Sequence, residues 1–477
     1  MEEKKTKIIC TVSDRNCSVE FIESLYNEGM NVVRINSAHT TLESSMPIVE
    51  NTRKVSEKIA ILVDTKGPEI RITGMGEGGG FNVKNGDEVI FEDNPAGISG
   101  NGLLYTNYTN LVAEVPVGSN ILIDDGEISL TVVRKRDKRL YCKANNSGVI
   151  KGRKSINIPN VPVRLPSVSE RDKEFILWAI KNDLDFIAHS FVRNKEDLIE
   201  IQKILDLHGS HLKIIAKIEN QEGVDNIDEI LSHCYGVMVA RGDLGVEIDY
   251  QKIPIIQRQI IKKCQERKKP VIIATQMLHS MIENPRPTRA EVTDVANAIY
   301  QGTDAIMLSG ETANGKYAKE AVRTMTNIAR ETEKELRPYY GLELKDITHP
   351  VAAVLSCQLV SATKKLPIKA MVFDSRTGRT GRYLSAFRPK TPIYAMCYAP
   401  HVMRELALSF GVYAYSMDPY QSKDEFIKSS INTLLNDKCF SKEDVIGVVG
   451  GSFGPSAGAT FMEICPAGLM VIETEGR

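Results

Sequence analysis

Two neighbouring stretches, Ile214-Ile215-Ala216-Lys217-Ile218-Glu219-Asn220 and Gly236-Val237-Met238-Val239-Ala240-Arg241-Gly242-Asp243, decide how this chain folds. Each is a short apolar run that stops abruptly on charged residues. Strands this apolar are buried on both faces, as in parallel sheets covered by helices. Working outward in both directions, similar runs recur at 8–12, 32–35, 59–64, 186–191, 271–275 and 305–308. After most of them comes an amphipathic segment carrying helix signals. One spans 19–28 and is stopped by Gly29 in the C′ position. Another spans 170–181 and is entered through Ser169, with Asp172 at capping-box spacing.

Eight such strand–helix units predict an α/β fold built on a (β/α)8 TIM barrel. One interval breaks the rhythm. Residues 68–163 are rich in Gly, Asn and Asp, with turn signals at Asn85-Gly86-Asp87 and Asp124-Asp125-Gly126 between alternating runs at 88–91, 121–123 and 129–133. They read as a small β-barrel domain inserted in a barrel loop, on the face where such barrels build their sites, and hence as a lid. After the eighth unit a new α/β pattern begins, with strand-like runs at 370–373, 393–396, 412–415 and 445–449. The expected domains are therefore a barrel from 1–67 and 164–340, a lid from 68–163, and a C-terminal α/β domain from 341–477.

Composition narrows the function. The 477 residues carry 60 Lys+Arg against 61 Asp+Glu, a formal charge of −1, so no basic excess points to nucleic acid or an anionic membrane. Hydrophobic content of 42% with 25% charged residues is that of a globular chain, not a disordered one. Nine cysteines stand singly with no Cys-x-x-Cys pair, which argues against a disulfide framework or structural zinc. The opening Met-Glu-Glu-Lys-Lys lacks the apolar stretch of a signal peptide, and no window could span a membrane. A cytoplasmic protein is expected.

The strand ends carry the chemistry. In order they offer Arg34 and Asn36, Asp64 and Thr65, Ser190, Lys217 and Glu219, Arg241 and Asp243, Thr275 and Gln276, and Ser309 and Glu311. Residues i and i+2 of a strand point the same way, so Lys217 stands beside Glu219 and Arg34 beside Asn36. Glu219 and Asp243, from adjacent strands, suit a hard cation such as Mg²⁺ or Mn²⁺ that keeps open positions. With Lys217, Arg34 and Arg71 nearby, the set reads as phosphoryl chemistry, in which positioning and charge stabilisation do most of the catalysis. A lone Lys-x-Glu would be a solvated pair; seven polar strand ends together are not explained that way. His39 alone reads as a hydrogen-bonded structural residue. Gly74-Met75-Gly76-Glu77-Gly78-Gly79 matches a dinucleotide fingerprint only formally, because no helix follows it, and reads as a turn. In the C-terminal domain, 375–380 and 450–460 are either anion loops or ordinary turns.

These motifs resemble the pyruvate kinase family over essentially the whole chain. The carrying segments are Thr6–Thr11, Gly29-Met30-Asn31-Val32-Val33-Arg34-Ile35-Asn36, Asp64-Thr65-Lys66-Gly67-Pro68-Glu69-Ile70-Arg71, Lys217-Ile218-Glu219-Asn220, Met238–Gly245, Ala274-Thr275-Gln276-Met277, Pro285–Glu291 and Met307–Ala313. The resemblance implies phosphoryl transfer from phosphoenolpyruvate to ADP, with Glu219 and Asp243 holding Mg²⁺ or Mn²⁺. Arg34, Arg241, Gly242, Asp243 and Thr275 would receive phosphoenolpyruvate, and Lys217 would stabilise the phosphoryl group. Thr275 would bring a proton to the enolate through water, Ser309 and Glu311. Arg71, Lys154, Asp125 and His39 would form the ADP/ATP side, with the lid closing to exclude water. A K⁺ site is implied at Asn36, Asp64 and Thr65. The family's usual assembly is a homotetramer, and its C-terminal domain can bind an allosteric phosphorylated metabolite.

The chain departs from the family in two places. Where the family usually has Arg-Leu-Asn-Phe-Ser-His-Gly, this chain reads Arg34-Ile35-Asn36-Ser37-Ala38-His39-Thr40, so Ala38 removes a hydroxyl ligand for K⁺. Glu69 is nonetheless the residue of potassium-dependent members, and Ser37 or a water is expected to replace the lost ligand. The segment Gly458-Ala459-Thr460-Phe461 does not follow the pattern of members activated by a sugar bisphosphate, which leaves a sugar phosphate, a nucleotide or no effector open. Two rivals remain. A Mg²⁺-dependent lyase or aldolase acting on pyruvate or oxaloacetate would need no lid with a nucleotide-reaching Lys. A non-catalytic relative would be expected to lack one of Lys217, Glu219, Asp243 or Thr275.

Overall fold

The computed structural model describes residues 4–76, 78–452 and 458–471. Eight parallel strands close into a barrel: Lys7–Thr11, Val32–Asn36, Ala60–Asp64, Phe186–His189, Lys213–Ile218, Gly236–Ala240, Val271–Ala274 and Ala305–Leu308. Their alternation divides two cores. Ile9, Val32, Leu62, Phe186, Ala188, Ile215, Met238, Ile272 and Met307 fill the barrel's interior. Their neighbours Ile8, Val33, Ile61, Ile187, Ile214, Val239, Ile273 and Leu308 pack outward against the helices. Period-2 alternation in strands buried on both faces gives this double use.

Local signals set the helices. Ser18 caps Val19–Asn27 by accepting the Phe21 amide, and Gly29 follows with φ 115°. Ser169 and Asp172 form a reciprocal capping box at the start of Glu170–Lys181. Besides the first strand, which ends at Thr11 and not 12, two strands stop earlier than the sequence pattern implies. The fourth ends at His189, not 191, because Phe191 takes up φ 55°, and the seventh ends at Ala274, not 275, because Thr275 takes up φ 70°. Both departures lie at the site end of the barrel.

The lid leaves the barrel after the third strand. It forms a seven-stranded sheet whose first and last strands are Ile70–Arg71 and Leu103–Tyr105. A single antiparallel bridge, Ile72 to Thr106, joins those two edges, so the sheet curls on itself into a small barrel. It has its own core, including Val89, Phe91, Leu104, Ile121, Leu130, Leu140 and Cys142. The strand expected at 129–133 runs longer, over Ile128–Arg136, as a hairpin with Arg139–Ala144. The Gly74–Gly79 stretch contains no helix among its described residues; Glu77 lies outside them.

The C-terminal sheet has the order Val412–Ser416, Ile393–Cys397, Ile368–Ser375, Val445–Gly450, Phe461–Pro466. Four strands are parallel and the last is an antiparallel edge that the sequence reading did not anticipate. All nine cysteines are free thiols, in keeping with their single spacing.

Barrel and C-terminal domain meet through buried charge. Arg388 Nη2 lies 2.7 Å from Asp304 Oδ2, and Arg388 donates twice more to Gly302 O. Both side chains are almost fully buried, and Asp304 also accepts the amides of Phe410 and Val271. Removing one partner of a buried pair strands the other charge and costs about 3–5 kcal/mol. Arg388→Met is therefore expected to lower the free energy of urea unfolding by about that amount, whereas an exposed pair such as Arg136–Asp137 broken the same way should cost under about 1 kcal/mol.

Candidate active site

The inward parity that fills the barrel continues past its apolar layers. Leu62 leads to Asp64 on the third strand, Ile215 to Lys217 on the fifth, and Val32 to Arg34 and Asn36 on the second. The next side chains inward are therefore polar, and they converge at the carboxyl end of the barrel. Lys217 Nζ lies 2.9 Å from Asp64 Oδ1, 2.9 Å from Glu219 Oε1 and 2.7 Å from Ser190 Oγ. Arg34 spans three strands, giving its Nε to Asp64 Oδ2 at 2.7 Å and its Nη1 to Thr11 Oγ1 at 2.9 Å.

All four charged groups are buried: Arg34 and Lys217 are each 8% exposed, Asp64 1% and Glu219 0%. Burial alone would strip the proton from Lys217, but Asp64, Glu219 and Asp243 outweigh it and hold its pKa above the ordinary lysine value. For Asp64 the burial penalty is overcome by Arg34 and Lys217, and its pKa is lowered. Glu219 goes the other way. Burial lifts it to about 7, Lys217 opposes and Asp243 adds. One Glu219 oxygen accepts the Phe191 amide at 2.7 Å. The other, Oε1, faces the ammonium off hydrogen-bonding geometry and has no hydrogen-bond donor, although it is buried. A carboxylate with an unsatisfied buried oxygen beside a second carboxylate is suited to a hard divalent cation.

Arg241, Gly242 and Asp243 open the short helix Arg241–Glu247, directly after the sixth strand. Gly242 N donates to Thr275 Oγ1 at 2.7 Å, and Thr275 Oγ1 donates to Ala274 O at 2.6 Å. Arg241 is held by Asp294 (2.8 Å) and by Thr275 O (2.8 Å). Thr275 and Gln276 both have left-handed backbone, φ 70° and 54°, a conformation that costs a side-chain-bearing residue about 1–2 kcal/mol. That turn places the Thr275 hydroxyl against the helix amide. Ser309 and Glu311 follow the eighth strand, and both Glu311 oxygens accept backbone amides, those of Leu278 and Ser309.

Asn36 and Asp64 are direct partners in the sheet, and Thr65 follows Asp64. Ser37 is fully buried and its hydroxyl has no hydrogen-bond partner. Beyond the barrel rim, His39 is exposed on the loop after the second strand. Arg71 pairs with Glu69 at 2.7 Å, Lys154 with Asp124 at 2.6 Å, and Asp125 accepts from Ser155 Oγ. These lid residues are not brought against Lys217; a cleft of about 540 Å³ is lined by Asp125 from the lid and Asp243 from the barrel. Gly67 at the root of the lid has φ 71°, and a Cβ there would meet Ser190 Cβ and Phe191 Cδ2 at 2.8 Å, so only glycine fits. Ser190, Thr11 and the Phe191 amide join the set beside the expected residues. Ser190 was visible as a polar strand end, whereas a backbone amide and a cross-strand hydroxyl leave no sequence signal.

Comparison with known proteins gives a consistent result. The family model "Pyruvate kinase, barrel domain" matches residues 3–322, and "Pyruvate kinase, alpha/beta domain" matches residues 354–465. The chain is 47% identical to a pyruvate kinase from Borreliella burgdorferi over 97% of its length and 98% of the relative's. It is 40% identical to one from Clostridium acetobutylicum, covering 96% and 98%. A crystal structure of a pyruvate kinase from Cryptosporidium parvum superposes with a TM-score of 0.93 at 34% identity, covering 98% of this chain and 96% of that one.

The left-handed turn makes its own prediction. Gln276 is exposed and its φ of 54° favours glycine, so Gln276→Gly is expected to keep or raise stability by up to about 1 kcal/mol. A loss of more than that in denaturant unfolding would mean the turn is not strained.

Proposed function

We propose that this chain, which belongs to the pyruvate kinase family and transfers the phosphoryl group of phosphoenolpyruvate to ADP in the last step of glycolysis, does so around the buried ammonium of Lys217. The observation that carries the reading is the threefold hold on that group by Asp64, Glu219 and Ser190 at the carboxyl end of the barrel. A cation kept charged and held in place by its partners needs little reorganisation when negative charge spreads over the transferring phosphoryl oxygens. Arg34, fixed by Asp64 and Thr11, adds a second fixed positive charge for the same phosphate.

Glu219 and Asp243 are the residues that would hold Mg²⁺ or Mn²⁺. Among the described residues no group of three or more His, Cys, Asp or Glu forms a cage, so the ion would keep positions for water and substrate oxygens, as Mg²⁺ prefers. When bound, it supplies further neutralisation of the phosphoryl and enol oxygens. The start of the Arg241–Glu247 helix, at Gly242 and Asp243, with its favourable dipole end, receives the substrate carboxylate. Arg241 is held in place for that role by Asp294.

Once the P–O bond to the enol oxygen breaks, the enolate takes a proton at its terminal carbon. Thr275 holds the water that delivers it, and its hydroxyl is oriented by the Gly242 amide and Ala274 carbonyl. Ser309 stands on the same rim, and Glu311, with both oxygens engaged by amides, keeps that rim in shape. ADP enters from the lid side, toward Arg71, Lys154, Asp125 and His39.

Asn36, Asp64 and Thr65 would hold K⁺, with the orphaned buried hydroxyl of Ser37 replacing the ligand lost at Ala38. Glu69 stays engaged with Arg71 at the lid root. In the C-terminal domain, Ser375 and Gly450 end adjacent parallel strands where the strand order reverses, the place at which open α/β sheets bind ligands. Ser375 Oγ accepts the Gly378 amide just before helix Arg379–Ala386. A phosphorylated effector is therefore assigned to 375–380; of the 450–460 segment, residues 453–457 lie outside the described residues. No described helix is long and apolar enough to cross a membrane. The reading is completed by a cytoplasmic homotetramer, the family's usual assembly.

Lys217→Met tests the reading. Phosphoryl transfer from phosphoenolpyruvate to ADP is expected to fall by about 10²–10³-fold or more, while Mn²⁺ binding followed by electron paramagnetic resonance persists. Activity within about tenfold of wild type would contradict the role. For K⁺, activity in sodium-free buffer is expected to require KCl, and Ser37→Ala to raise the KCl concentration for half-activation. Equal rates with and without KCl would remove the K⁺ site.

A further inference from the structure

The lid is almost unattached to the barrel except where the chain enters and leaves it. At the entry, Lys66 N donates to Asp172 Oδ1 at 2.9 Å. At the exit, Arg193 donates to Val163 O at 3.1 Å and Leu165 O at 3.0 Å, itself locked by Asp197. Both contacts tie down the connecting segments. Among the described residues, only one hydrogen bond joins a strand of the lid to the barrel: Asn157 Nδ2 donates to Glu247 Oε1 at 2.8 Å.

Its position is informative at both ends. Asn157 closes the lid strand Ser155–Asn157, which pairs with Ile70–Arg71 and with Asn120–Ile123. That strand directly follows Lys154, and the turn after Asn120–Ile123 carries Asp124 and Asp125. Glu247 is the last residue of helix Arg241–Glu247, four residues after Asp243 and so on the same helical face. Asn157, Glu247, Asp125 and Asp243 line one cleft. The helix whose first turn presents Gly242 and Asp243 to the substrate thus holds the lid at its last turn.

We propose that Glu247 is a positioning residue, acting through Asn157 to register the lid's nucleotide-side groups over the substrate helix. This rests on the reading of the lid as the ADP-binding side. A single hydrogen bond contributes about 0.5–1.5 kcal/mol net, enough to bias the lid without freezing it, which suits an element that must open for product release. A mis-registered lid admits water. Water oxygen then attacks the phosphorus in place of the ADP β-phosphate oxygen, and the P–O bond to the enol oxygen breaks. Inorganic phosphate leaves with the water oxygen, and the enolate is protonated to pyruvate.

Three variants of the full-length enzyme test this. Glu247→Ala is expected to raise the KM for ADP up to about tenfold, with a smaller change in kcat. It should also increase phosphate release from phosphoenolpyruvate without ADP and speed hydrogen–deuterium exchange across 155–157. Asn157→Asp, which sets a carboxylate against Glu247, should reproduce those changes. Glu247→Gln keeps a carbonyl oxygen for Asn157 to donate to, and should stay within about twofold of wild type in all three readouts. If Glu247→Gln is as impaired as Glu247→Ala, the carboxylate charge and not the lid contact is what matters, and the proposal fails. It fails equally if Glu247→Ala leaves exchange at 155–157 unchanged. Faster exchange with an unchanged KM for ADP would keep the contact but overturn the lid as the nucleotide side.

Discussion

Everything at the working end of this molecule depends on keeping one ammonium charged where little water reaches it. Lys217 is buried between strands, and its charge survives only because Asp64 and Glu219 lie at 2.9 Å. Isolated, such a group would lose its proton to the low dielectric around it. Paired, it becomes a fixed positive charge whose cost is borne by the fold. The carboxylates are constrained in turn: Asp64 by Arg34, and Glu219 by the Phe191 amide. Breaking any member leaves another uncompensated in the interior, which binds these five residues into one unit.

A closed parallel barrel is well fitted to hold such a unit. Its strands are rigid, their inward residues stack in layers, and their carboxyl ends bring side chains from distant parts of the sequence within contact. Asp64 and Lys217 are far apart in the chain, yet parity and register alone bring them together. Only at the rim does the backbone depart from regular strand, at Phe191, Thr275 and Gln276, where positive φ turns amides and hydroxyls toward the site.

Legibility in the sequence followed the same division. Arg34, Asp64, Lys217 and Glu219 could be read because strand-end position and period-2 parity are sequence properties. The helix cap at Ser169 and the helix stop at Gly29 were legible for the same local reason. The left-handed turn at Thr275 was not, since nothing in Thr-Gln announces positive φ and the tertiary packing imposes it. Nor was the Asn157–Glu247 hydrogen bond, which depends on how two separately folded pieces meet. The antiparallel edge Phe461–Pro466 escaped because its residues are only half-buried and lack the apolar run of the central strands.

The lid's own closed sheet and separate core bear on how the chain is assembled as it is made. Three barrel strands emerge first, and a barrel of three strands cannot close. The next segment to emerge is the lid, whose contacts are nearly all internal. A unit of that kind completes its strand pairings within its own segment, without waiting for residues beyond Asn157. It thus occupies the growing chain with a finished body while the exposed edge of the third strand awaits Phe186–His189. Insertion at this loop gives the nascent protein a folded spacer at the moment when its sheet is most open to pairing with other chains.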